Sequence, residues 1–147
     1  MGAGCPFITC AVKKKGIEVC WQCAEHETCE RWAKHRTFGK KHDTFTCYQR
    51  LEDNIAFIQQ NGVHAFEEAQ KIREHLLKEM LHDFNEGRSK RYYTIATTVF
   101  EIKELETALT QAKKDAAGLD MKGKSRYLHA LLDAISARHN YHLKLRK

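Results

Sequence analysis

Five of the six cysteines in this chain, Cys5, Cys10, Cys20, Cys23 and Cys29, fall within its first 29 residues at the spacing C-x4-C-x9-C-x2-C-x5-C. Thiolates so spaced can converge on one ion. A C-x2-C turn directs two sulfurs to one point, and zinc completes a tetrahedron with four ligands at a Zn–S distance of about 2.3 Å. Cys20 and Cys23 form the strongest pair. Cys10 and Cys29 lie close enough in sequence to complete the set, and Cys5 competes for one of those places. Five donors for four positions leave the ligand set open. A structural zinc is the first reading of the pattern. An iron–sulfur cluster, which also takes four cysteines, is the alternative. An odd number of clustered thiols fits disulfide pairing poorly.

The remaining reactive side chains carry weaker signals. Lys13, Lys14 and Lys15 stand where they would lower nearby thiol pKa values, which favours a labile redox thiol centre over a closed zinc site. Cys47 lies alone among apolar neighbours and reads as a core residue. Of nine histidines, His26 sits between Cys23 and Cys29 and is the first to test as a replacement ligand. His35 and His42 lie near the cysteines, and His139 and His142 form H-x2-H. His75 and His82 read as solvated flank. There is no Gly-rich phosphate loop, no H-E-x2-H and no G-x-S-x-G. The carboxylates Glu67, Glu68, Glu74 and Glu79 stand at helical spacing with basic residues and read as ion-pair decoration. No general acid or base can be assigned.

These residues need a scaffold, and the cysteine segment is too short and too polar to build a core alone. Pro6 keeps Cys5 out of helix. Residues 8–15 predict a short helical turn ending near Gly16, and residues 17–20 an extended lead into the C-x2-C turn. Residues 30–33 begin another helical turn, and 34–46 read as a polar, basic connection. Beyond it, Asp43 or Thr44 caps a helix through Leu51, Ile55 and Ile58 to about Gln60, stopped by Asn61-Gly62. Phe66, Ala69, Ile72, Leu76, Leu77, Met80, Leu81 and Phe84 mark a second helix by steps of three and four. Ser89 reads as the N-cap of a third, carrying Tyr92, Ile95, Val99, Ile102, Leu105 and Leu109 and ending before Gly118. Asp120 reads as the cap of a fourth, carrying Tyr127, Leu128, Leu131 and Ile135. The expected fold is mainly α: a loop-rich N-terminal metal-binding head (residues 1–47) docked on an antiparallel three- to four-helix bundle (residues 48–147). Phe7, Trp21 and Trp32 are the expected docking residues.

The chain of 147 residues has a net charge of +6, unevenly distributed. Residues 1–48 carry +3, residues 49–86 carry −4, and residues 87–147 carry +7. Lys13 to Lys15, Arg88, Lys90, Arg91, Lys144 and Arg146 would supply a nucleic-acid contact, although charge runs more often mark a solvated face. No apolar run approaches the ~20 residues of a membrane span, and the N-terminus has no secretory pattern. The expectation is a cytoplasmic protein, off the membrane, whose thiols are kept reduced. A protein or a nucleic acid, or a second copy of the chain, stays open as partner.

The segments Cys5-Pro6-Phe7-Ile8-Thr9-Cys10-Ala11, Lys15-Gly16-Ile17-Glu18-Val19-Cys20-Trp21-Gln22-Cys23 and Glu27-Thr28-Cys29-Glu30 follow C-x4-C-A-x3-K-G-x-E-x-C-x2-C-x5-C. This resembles a group of cysteine-rich proteins of unknown function common in archaea and anaerobic bacteria. The resemblance covers about a fifth of the chain, with a weaker likeness from Asp120 to Lys147. It implies a head that binds a metal, zinc by expectation, and it implies no reaction. Members often carry further cysteines upstream of the first one matched here, so the expectation is either that a second metal site is missing or that the head is a reduced version, and the ligand set stays open.

Overall fold

The computed structural model describes residues 5–18, 20–42 and 50–144, with the backbone alone at positions 21 and 39–42. The fold is mainly helical, with no strand among the described residues. The chain divides into two compact units, Met1–His42 and Asp43–Lys147. Cys47, and Asp43 and Thr44 as caps, lie outside the described residues.

The first unit is more helical than its composition implies. Pro6, with fixed φ and no N–H to leave unpaired, opens α1 (Pro6–Ile8). The chain continues as a π-helical segment, Thr9–Lys15. It stops at Gly16, where a φ of 64° suits a residue without Cβ. The helical turn expected over residues 8–15 is therefore present. The extended lead expected over 17–20 is not. Ile17 and Glu18 are irregular, and Cys20 opens a 3₁₀ turn, Cys20–Gln22. No neighbouring strand satisfies their backbone, and the Cys23 N–H turns back to the Cys20 carbonyl at 3.1 Å.

The connection expected at 34–46 is likewise corrected through residue 42, because α2 spans Glu30–His42. The Cys29 carbonyl accepts the Ala33 N–H at 3.0 Å. Glu30 favours the positive end of the helix and pairs with Lys34 one turn on, at 3.7 Å. Trp32 and His35, three residues apart, stack with ring centroids 5.9 Å apart, and Phe7 packs on both. A short aromatic stripe thus holds a helix that basic residues conceal in the sequence. Phe7 and Trp32 bind each other within the unit.

The second unit is built from α3 (Leu51–Asp83), α4 (Lys90–Val99), α5 (Ile102–Asp115) and α6 (Met121–His139). The stop expected at Asn61-Gly62 is a break inside α3: Gly62 has φ 85° and ψ 167°, and the helix resumes after it. The single helix expected from Ser89 to Gly118 is two helices, divided where Phe100 and Glu101 turn extended. Two arginines stabilise the division. Arg73 donates from Nη1 to the Thr97 and Phe100 carbonyls at 2.7 and 2.5 Å. Arg50 donates from Nη1 to the Val99 carbonyl at 3.1 Å and to Glu101 Oε1 at 2.6 Å.

The core unites Leu76, Met80 and Phe84 of the α3 end with Tyr93, Ala96 and Val99 of α4, Leu105, Ala108, Leu109 and Ala112 of α5, and Leu128, Leu132 and Ile135 of α6. α3 packs on α4 and α5, and α5 on α6. The N-terminal part of the α3 stripe stays outside this core, with Ile72 exposed and Phe66 against Phe57. Among the described residues no helix is long and apolar enough to cross a membrane.

Candidate functional site

Four of the five clustered cysteines share one pocket. Cys10 comes from the π-helical segment, Cys20 opens the 3₁₀ turn and Cys23 directly follows it, and Cys29 is the residue preceding α2. All four line a space of about 120 Å³ together with Phe7, Ile17, His26 and Trp32. Between Cys20 and Cys29 the backbone folds in successive tight turns: the His26 N–H meets the Cys23 carbonyl at 3.0 Å, and the Cys29 N–H meets the His26 carbonyl at 3.4 Å. Cys5 is exposed and does not line the pocket, although its charge still reaches Cys20. All five sulfurs are free thiols.

The electrostatics separate the two members of the C-x2-C pair. Burial pushes the Cys20 thiol up, and the neighbouring sulfurs of Cys29, Cys10, Cys23 and Cys5 add to the shift. Such mutual repulsion among gathered thiolates is what a bound cation would relieve. Cys23 moves down instead. Lys15 Nζ donates to its Sγ at 3.0 Å, and the Glu25 backbone N–H adds a second hydrogen bond. Lys15 also holds Glu25 Oε2 at 2.8 Å, and its own pKa rises because it faces both anions. An N–H to sulfur bond two residues after the ligand, and a lysine beside it, are the donors that offset the surplus negative charge of a tetrathiolate site.

The thiols line a common space without forming a closed shell. Among the described residues no group of three or more His, Cys, Asp or Glu side chains stands in a metal-ligating array. The donor chemistry and the shared pocket fit a thiophilic ion.

The histidines sort clearly. His26 lines the cysteine pocket, whereas His35 belongs to the aromatic stripe. His75 and His82 are exposed and pair with Glu79 and Asp83. His139 binds Glu104 Oε1 at 2.8 Å and stacks on Tyr141.

The second unit holds a polar cluster that periodicity alone does not reveal. Ser89 occupies the N-cap position of α4 but makes no capping hydrogen bond. Its Oγ instead meets Glu86 Oε2 at 2.6 Å, His129 Nε2 at 2.8 Å and Ser125 Oγ at 3.1 Å. Ser125 also donates to Glu86 Oε2 at 2.5 Å and meets the Tyr93 hydroxyl at 3.1 Å. The His129 ring lies flat on Tyr92 with centroids 4.0 Å apart. The sequence signal is the α6 series Lys122, Ser125, Arg126, His129, Asp133, which places polar residues at helical spacing beside the apolar stripe. By contrast Asp120 caps α6 as expected, accepting the Gly123 N–H at 2.8 Å.

No protein-family model, curated protein or solved structure matches the chain. The reading of both sites therefore rests on their own chemistry.

Proposed function

We propose that the N-terminal unit is a zinc-binding module of a small reducing-compartment, by inference cytoplasmic, protein, and that the chain works by binding rather than by catalysis. The observation that carries this reading is the gathering of Cys10, Cys20, Cys23 and Cys29 around one space, from three separate backbone segments. These four are the proposed ligands, with Cys5 as the spare thiol and His26 beside the site. Zinc supplies a closed tetrathiolate anchor there. The chain itself supplies the Glu25 N–H and Lys15 ammonium that tune Cys23. The partner is a protein or a nucleic acid, and the cysteine-rich group that the sequence resembles is consistent with such a module.

Elemental analysis of the purified protein tests the assignment. One zinc per chain is expected, retained by Cys5→Ser and lost or sharply weakened by Cys→Ser at 10, 20, 23 or 29. A visible charge-transfer spectrum after anaerobic purification would assign an iron–sulfur cluster instead. Metal content equally indifferent to all five replacements would remove the site.

One observation favours a second reading, a reactive thiol: the 3.0 Å contact of Lys15 with Cys23. Alkylation of metal-stripped protein separates the two. A thiol held reactive by Lys15 labels first at Cys23 and slows in Lys15→Gln. Uniform labelling of all five cysteines leaves Lys15 with a structural part alone.

A further inference from the structure

The Glu86–Ser89 turn and one face of α6 border an open cleft of about 1090 Å³, separate from the cysteine pocket. Its charged lining divides into engaged and unengaged groups. The three carboxylates all have partners: Glu86 takes the Ser89 and Ser125 hydroxyls, Asp120 caps α6, and Asp133 takes the Tyr92 hydroxyl at 2.5 Å. The three cations, Arg88, Lys122 and Arg126, have no hydrogen bond or ion pair among the described residues. Lys122 and Arg126 are one turn apart on α6, so they share a face with His129 a turn further on.

The proton positions follow from the distances. Both serine contacts to Glu86 Oε2 have the length of a hydroxyl donating to a carboxylate. The single proton of Ser89 is therefore directed at Glu86. Ser89 Oγ can only accept from His129, so the neutral imidazole donates from Nε2 and leaves a bare lone pair on Nδ1. Burial within the ring stack pushes that imidazole's pKa down and so favours the neutral ring, against the pull of Asp133 and Glu86. Nδ1 has no partner among the described residues.

The geometry points to this cleft as a binding site for a small phosphate monoester. Such a ligand brings two negative charges to three unengaged cations, and guanidinium groups grip phosphate oxygens in pairs. Its second ionisation lies near pKa ~6: the dianion gives both charges to the cations, and the monoanion exchanges one of them for a P–OH that the His129 Nδ1 can accept. A simple carboxylate offers neither the second charge nor that proton. The space exceeds what a phosphate fills, and Met121 and Ala130 give the rest of the ligand an apolar surface.

Calorimetric titration of the full-length chain tests this, with adenosine 5′-monophosphate, inorganic phosphate and adenosine as probes and imidazole NMR signals as a second readout. Expected are saturable binding of both phosphates, none of adenosine, and a shift confined to the His129 ring. Lys122→Gln and Arg126→Gln should each weaken binding about tenfold, the scale of one charge-assisted contact. Both side chains stand on an exposed face, and unchanged helical circular dichroism verifies that the variants fold. No saturable binding below ~10 mM overturns the proposal, as does affinity unaltered in the double variant. An RNA oligomer that binds more tightly than the nucleotide, and loses affinity in the same variants, would overturn it in favour of a nucleic-acid surface.

Discussion

The chemistry of single residues here is decided by which hydrogen bond each side chain gives up. Ser89 has the sequence of a helix cap, but its hydroxyl is drawn to Glu86, and the α4 N-terminus goes without a side-chain cap. Two donated hydroxyls, from Ser125 first and Ser89 second, hold the Glu86 carboxyl down from 4.5 to about 2. The sign of the resulting pH dependence is fixed. A carboxyl whose pKa is depressed by folding contributes its full stability above the ordinary value and loses it as pH falls through the folded one. The wild type should therefore exceed Glu86→Gln in stability at pH 7, by about 1 kcal/mol once solvent screening of this exposed carboxylate is allowed for. The difference should shrink from pH 4.5 downward and close near pH 2. Urea denaturation of both proteins across that range measures it, and a gap independent of pH would show that the serines do not select the ionised form.

At the scale of elements, the sequence disclosed helices wherever an apolar stripe was long. The stripes of α5 and α6 and the C-terminal half of α3 were legible for that reason, and the Gly62 break was legible from the Asn61-Gly62 pair. The boundary between α4 and α5 was not, because the apolar period runs on through Val99, Ile102 and Leu105 without a glycine or proline. What ends α4 is tertiary: Arg73 and Arg50, from 27 and 49 residues earlier, bind the carbonyls of its last turn. A cation at a helix C-terminus is favourable in its own right. Here burial of Arg73, which lowers its pKa alongside the nearby Arg50, makes loss of the charge more costly still for the carbonyls left behind. Arg73→Met should destabilise the bundle by about 2–3 kcal/mol, the range for charged hydrogen bonds to buried partners. Arg73→Lys should recover only part of that, since a shorter, more strongly hydrated ammonium replaces the guanidinium whose Nη1 reaches both the Thr97 and Phe100 carbonyls. A midpoint in urea unmoved by Arg73→Met would mean that the α4 end is set by its own threonines.

Across the whole molecule, the two units obtain order by different means. The unit Asp43–Lys147 has a continuous apolar core with Met80, Phe84, Tyr93, Phe100, Leu105, Leu128 and Leu132 fully buried. In the unit Met1–His42 the described side chains include one buried apolar residue, Ala11, and its larger apolar groups, Phe7 and Trp32, are half-buried. So small a unit is expected to need a cross-link or a metal. The cysteine spacing suggests how that need could be met, whereas the helix α2 that completes the unit was hidden by basic residues around its aromatic stripe. If an ion joins Cys10, Cys20, Cys23 and Cys29, its binding free energy becomes folding free energy for this unit alone. A strong chelator should then abolish the helical signal of residues 6–15 and 30–42 while the thermal midpoint of the bundle stays where it was, and added zinc should restore the lost signal. Hydrogen exchange resolved by segment reads the two units separately. Exchange in residues 30–42 that is indifferent to chelator would mean that the Phe7–Trp32–His35 contacts suffice without metal. Equal loss of protection in both units would mean that their stabilities are coupled.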